Sequence, residues 1–355
     1  MPAISVDTFF ACSLMVLLVL SAMAGASKLL YPHINSAVDE NVAERYREIS
    51  KYMLLNGGKP SNWGQNGQTI PGTFGLAKAG SDNPYELDVD KVSRLNSENI
   101  YALSYAQIFT ALKISDVSFR IEIKPIFEVA INLTATFEGA NETIYQFEIL
   151  TEKNGALVQA ELKCYISAEN HFEAKNAYAS DGRTYLNVTI PNDVTGPAIL
   201  TVFARAVSNT KITSFNACTF AHKSAEPEPK GTFLRLSPLN YTLTASFISP
   251  EIVLSDAYAL TFNYNSTLMQ TASDNESATY SIPLFLDSSP TLIIVTGWNS
   301  TNFFTEWTAY PQLPLQTGAD FASSVTLSNV FAFTYVATIN SALYKCTIWL
   351  GGPKE

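Results

Sequence analysis

Apolar residues along this chain follow two rhythms, one helical and one of strands, and the change between them divides the molecule. From Thr8 to Ser27 twenty residues carry no charge (TFFACSLMVLLVLSAMAGAS), long enough to cross the hydrocarbon core of a bilayer as a helix. Beyond Lys28 and Pro32, apolar residues recur at Ile34, Val38, Val42, Tyr46, Ile49 and Met53. Asp39, Glu40, Glu44, Arg45, Arg47, Glu48 and Lys51 fill the opposite face, a helical period with one wet side. The pattern predicts a transmembrane helix running into an amphipathic stalk that Asn56, Gly57 and Gly58 end.

Residues 57–84 are rich in Gly, Pro, Asn and Ser, with Trp63 and Phe74 as large anchors, and read as a long ordered loop. Asp88 and Asp90 suit the start of a short helix, where carboxylates meet unpaired amides. Ile100, Leu103, Gln107 and Leu112 carry a helical pattern onward, a partner for the apolar face of the stalk.

At Val117 the period falls to two. Val117, Phe119, Ile121 and Ile123 alternate with Ser118, Arg120, Glu122 and Lys124, as in a half-buried strand. Six further strands are expected near 127–137, 143–151, 157–166, 184–190, 197–207 and 212–221. Lys153-Asn154-Gly155 and Ser180-Asp181-Gly182 supply turn residues that tolerate positive φ. Seven short strands predict an immunoglobulin-like sandwich. Residues 223–231 (KSAEPEPKG) read as a linker, and eight further candidate strands between 232 and 350 predict a second sandwich. The expected fold class is therefore α+β, with a transmembrane helix, stalk and second helix over 1–115 and β-sandwiches over 116–222 and 232–355.

Composition narrows the function. The 355 residues are 12% aromatic and only 15% charged, with a net charge of −10, the wrong sign for gripping a phosphate backbone. Nucleic acid is excluded as a partner. His33, His171 and His222 share no metal-ligand spacing, and nucleophile, phosphate-loop and dinucleotide motifs do not occur. No catalytic residue, metal or cofactor is assigned, and the chain reads as non-enzymatic. Ala22-Met23-Ala24 offers a site for signal-peptidase cleavage, and with or without that cut the bulk of the chain is expected outside the cytoplasm.

Cys164 shares the apolar phase of its strand with Leu162 and Ile166, and Cys218 ends the same domain, so Cys164 and Cys218 are either a bridged pair or two core thiols. Seven Asn-x-Ser/Thr sequons occur, at Asn132, Asn141, Asn187, Asn240, Asn265, Asn275 and Asn299. Asn132 and Asn187 fall on the outward phase of strands whose inward phase includes Val129, Ile131, Leu133 and Leu186, Val188, Ile190. The segment GWNSTNFFTEWTAYPQLP concentrates Trp298, Phe303, Phe304, Trp307 and Tyr310. It is either a stacking platform for a ligand, carried by Trp298, Trp307 and Tyr310, or aromatic packing between domains.

The apolar N-terminal run, its helical continuation, and the stretch NWGQNGQTIPGTFGLAKAG with LDVDKVSRLN after it resemble archaeal type IV pilin-like proteins with class III signal peptides. The resemblance implies cleavage between Ala3 and Ile4, helices bundled into a filament, and Asp7 paired with the freed amine of a neighbouring subunit. A single-pass membrane protein is expected from it, with its bulk on the cell surface, associating with itself or with other pilin-like subunits for assembly or adhesion. The alternative is a signal-anchored binding protein that captures sugar or peptide through the aromatic segment.

Overall fold

The computed structural model describes residues 15–21, 23, 41–321 and 327–353. Contacts divide the chain into Met1–Lys51 and Tyr52–Glu355. Ala3, Ile4, Asp7 and Ala24 lie outside the described residues, as do Ile34 and Val38 of the expected stalk. Residues 15–21 are helical. Among the described residues no helix is long and apolar enough to cross a membrane. The expected transmembrane helix, and the single-pass membrane location drawn from it, are corrected accordingly.

The α+β expectation with a long stalk gives way to a chain built mainly of strands. Residues 41–55 are helical, with Tyr46 and Met53 buried and Val42 and Ile49 half-buried. Beyond residue 55 the α-helices among the described residues are Val89–Ser93 and Tyr105–Leu112, against twenty-one strands in five sheets. Ser104 caps the second of these helices, its hydroxyl accepting from Gln107 N while Gln107 Oε1 accepts from Ser104 N.

Four of the five sheets lie in layers. The first sandwich sets Glu128–Glu138, Glu142–Lys153, Ala156–Leu157 and Arg183–Pro191 against Thr213–Phe220, Ala198–Ala206, Ala160–Ala168 and His171–Ala179. Phe147, Ile149, Leu162, Cys164, Leu200 and Val202 fill it. The second sandwich sets Leu234–Leu239, Thr242–Phe247, Ser277–Ser281 and Met269–Ser273 against Asn265–Thr267, Ile252–Leu260, Thr291–Asn299 and Asn302–Tyr310. Leu243, Ala245, Ala259, Ile293, Val295 and Phe304 fill that one.

The two sandwiches share a third core, in which Tyr165, Ile199 and Phe203 meet Leu260, Leu292 and Ile294. Ala198–Ala206 and Thr291–Asn299 are thus covered on both faces, which explains why AILTVFA and TLIIV run apolar without alternation. Aromatic rings line this seam: Phe203 stands edge-on to Tyr165 at 6.0 Å, Phe172 stacks on Tyr258 at 5.1 Å, and Phe215 meets Trp307 edge-on at 6.5 Å.

The fifth sheet draws its strands from distant parts of the chain. Its order is Glu86–Leu87, Leu327–Ile339, Ala342–Pro353, Ser118–Pro125, Leu315–Gly318. Ser118–Pro125 buries Phe119, Ile121 and Ile123, as its alternation requires, but pairs with Ala342–Pro353 on one edge and Leu315–Gly318 on the other. Both hydrogen-bonding edges are therefore satisfied outside the first sandwich, and the second sandwich ends at Tyr310. A further strand, His171–Ala179, lies between the strands expected at 157–166 and 184–190.

Residues 57–101 form a knot around Trp63, Lys91 and Arg94, all fully buried. Asp88 caps Val89–Ser93, its Oδ1 accepting from Asp90 N at 3.0 Å and Lys91 N at 3.1 Å. Burial of two cations is costly unless they find hydrogen-bond acceptors. Arg94 donates to the carbonyls of Trp63, Asn66, Gly67, Thr69 and Tyr101 at 2.6–3.1 Å, and Lys91 Nζ to those of Gly57 at 2.8 Å and Ala77 at 2.7 Å. The loop rich in Gly and Asn is thereby held from inside. Gly58 has φ of 71°, and a Cβ there would stand 2.6 Å from Thr73 O.

Candidate functional site

The aromatic segment 297–314 forms the end of one hairpin and the strand returning from it, and the fold sends its rings to different places. Tyr310, at the last position of Asn302–Tyr310, is buried; its hydroxyl donates to Asp90 Oδ1 at 2.6 Å and its ring meets Tyr241 edge-on at 5.6 Å. Burial and the neighbouring Asp90 carboxylate push its phenol well above the ordinary range. Tyr310 is a packing residue, which corrects its place among the stacking candidates. Phe304 is buried in the second core, stacked on Phe233 at 4.7 Å.

Trp298 and Trp307 are half-buried. Trp298 stands opposite Phe303 in strand register, ring to ring at 5.4 Å in an edge-on arrangement. Both line a groove of about 650 Å³ that residues 223–228 also line, with Lys223, Glu226, Glu228 and Asn302 contributing polar groups. Trp307 lines a second pocket of about 360 Å³. Glu306 borders both.

Glu306 is buried, its carboxylate accepting from Gly231 N at 2.7 Å and Phe233 N at 3.0 Å. Burial raises its pKa against those hydrogen bonds. The segment expected as a linker is therefore pinned at both ends, because His222 is also fully buried, with Nδ1 2.8 Å from Tyr145 OH and Nε2 2.9 Å from Pro191 O. Burial lowers the His222 pKa. A lone acid among aromatics in NFFTEWTAY was the one sequence signal for the role of Glu306. Nothing local marked Lys91, Arg94 or His222, whose partners lie far away in the chain.

Asn132, Asn141, Asn187, Asn240, Asn265 and Asn275 are exposed, whereas Asn299 is half-buried and its Oδ1 accepts from the Ser249 hydroxyl at 3.3 Å. Leu186, Val188 and Ile190 point inward as expected. Leu133 does not: the register shifts between Leu133 and Ala135, and Leu133 is exposed.

Cys164, Cys218 and Cys346 are free. Cys164 pairs in register with Val202 and Cys218 with Leu200, on opposite sides of Ala198–Ala206. Two strand spacings put their backbones about 10 Å apart, beyond the roughly 7 Å limit for a bridge, which settles that pair as thiols.

No family model matches the chain, and no curated protein matches it. Among solved structures it is similar to HBP35 of Porphyromonas gingivalis, at 14% identity and a TM-score of 0.21, over 52% of this chain and 64% of that one. The chain thus spans less than two thirds of that structure, and a likeness this low carries no argument about fold or function.

Proposed function

We propose that this chain is a non-enzymatic adhesion protein that captures a carbohydrate in the groove beneath Trp298 and Phe303. The observation that carries the reading is the half-exposed Trp298, backed by the buried Phe303, in a groove of about 650 Å³ that carboxylates and amides also line. An apolar ring face with polar groups around it matches the alternating CH-rich faces and hydroxyl edges of a sugar. The hairpin is the edge of a packed sheet, and residues 223–228 line the same groove. The buried charges Asp90, Lys91, Arg94 and Glu306 are committed to fixed hydrogen-bond partners, a use that supports a scaffold over a reaction centre.

The test is a glycan array probed with the full chain and with Trp298→Ala. Binding to a defined set of glycans, lost in the variant, is expected. Equal binding by both proteins, or none by the wild type, overturns the reading.

Assembly with copies of itself or with other pilin-like subunits is a second reading, supported by the resemblance of residues 62–96. Electron microscopy of the concentrated protein tests it, since filaments are expected and dispersed particles oppose it. The six exposed sequons are available for N-glycosylation.

A further inference from the structure

The Trp307 pocket already holds a cation. Lys230 Nζ stands 4.5 Å from the centroid of the indole ring and 3.0 Å from Glu98 Oε2. Leu234 and Leu236 wall the space beside it, Ile248 forms an exposed edge, and Glu306 closes the back. Its volume of about 360 Å³ is at the small end of the range for bound small molecules. An indole face, a carboxylate within contact of the same nitrogen, and aliphatic walls are what an ammonium on a methylene stem requires. Arg235 also borders the pocket, but its guanidinium is turned onto the carbonyls of Ser97, Glu98 and Asn99.

We propose that the Trp307 pocket is a receptor for an alkylammonium group, and that Lys230 is its built-in occupant. Displacing Lys230 leaves the fold intact, because the backbone beside it is fixed independently by the Glu306 carboxylate on Gly231 N and Phe233 N. The Lys230–Glu98 pair is itself solvent-accessible, with side-chain exposures of 36% and 62%, and exposed pairs contribute little to stability. A competing ammonium therefore exchanges one cation on the indole for another. This pocket shares Glu306 with the Trp298 groove but neither Trp298 nor Phe303, and the inference stands whether or not that groove takes carbohydrate.

The experiment titrates the full chain calorimetrically with Nα-acetyl-lysine methylamide, standing for a partner's lysine, and with pentylamine, standing for a free amine. Wild type is expected to bind weakly. Lys230→Ala is expected to bind about tenfold more tightly, the scale of removing an internal competitor of this kind. Lys230→Met, which keeps an apolar stem over the ring, provides the same comparison if the alanine variant does not fold. Adding Trp307→Ala should abolish binding, Trp298→Ala should leave it unchanged, and the neutral Nε-acetyl analogue should not bind. A partner-lysine site favours the capped lysine and a free-amine site favours pentylamine. The proposal is overturned if neither Lys230 variant binds either ligand more tightly than wild type, or if the neutral analogue binds equally.

Discussion

Tyr310 and Asp90, 220 residues apart, share a hydrogen bond of 2.6 Å. The same Asp90 oxygen accepts from Asn240 N at 2.7 Å, so one buried carboxyl joins the Val89–Ser93 helix to the first turn and the last strand of the second sandwich. Asn99 reinforces the junction by donating to Pro238 O at 3.1 Å and Gln312 Oε1 at 2.7 Å.

Removing the hydroxyl breaks that link, together with the longer bond it accepts from Tyr241 N at 3.4 Å. Tyr310→Phe keeps the ring against Tyr241 but leaves Asp90 with one fewer donor in a dry setting. A loss of about 1.5–3 kcal/mol is expected, typical of a buried hydrogen bond to a carboxylate, read by urea denaturation. A loss under about 0.5 kcal/mol, the scale of an ordinary surface change, would show that the junction does not depend on it.

Arg94 should tolerate no replacement. Five backbone carbonyls depend on its planar fork, and a lysine offers three hydrogens from one point. Arg94→Lys is expected to cost more than about 3 kcal/mol and to open residues 57–84 to limited proteolysis. Wild-type protease resistance in the variant would refute the internal-clamp account.

Glu86 sets an acid-side limit on stability. Hydrogen bonds from Lys78, Ser81 and Asn83 lower its pKa from 4.5 to about 2. A carboxylate with a depressed folded pKa contributes stability that is complete above its ordinary pKa and disappears as pH falls through the folded one. The stability gap between wild type and Glu86→Gln should therefore be full at neutral pH and shrink progressively between pH 4.5 and about 2. Asp90, raised by burial, has the opposite sign: its contribution is fullest in acid and declines as pH rises through its raised value. Denaturation curves across this range check the Glu86 trend, and a gap independent of pH would contradict it.

The thiols should differ in reactivity. Burial pushes Cys164 and Cys346 up to about 12, whereas Cys218 is half-buried at the edge of its sheet. Alkylation of the native protein followed by peptide mapping should label Cys218 first, with Cys164 and Cys346 protected until unfolding. Faster labelling of Cys164 would place it elsewhere than the first core.

Much of this architecture is legible in the chain itself, because it depends on neighbours in sequence. Period-two alternation identifies Ser118–Pro125 and Glu142–Lys153 as strands, Asn154 and Gly155 turn with positive φ, and Asp88 caps its helix through amides two and three residues on. What the tertiary structure alone decided is which strand lies beside which. Alternation shows that Phe119 and Ile121 face inward but not that their partners are Leu350 and Ile348, more than two hundred residues later. Cys164 and Cys218 share an inward phase, and only the strand between them keeps them apart. The aromatic segment had two readings because a ring's stickiness is the same in a core and at a groove. Tyr310 went to the core because Asp90 waits there, while Trp298 and Trp307 stayed half-exposed, Trp298 in a groove that 223–228 also line and Trp307 under the Lys230 side chain.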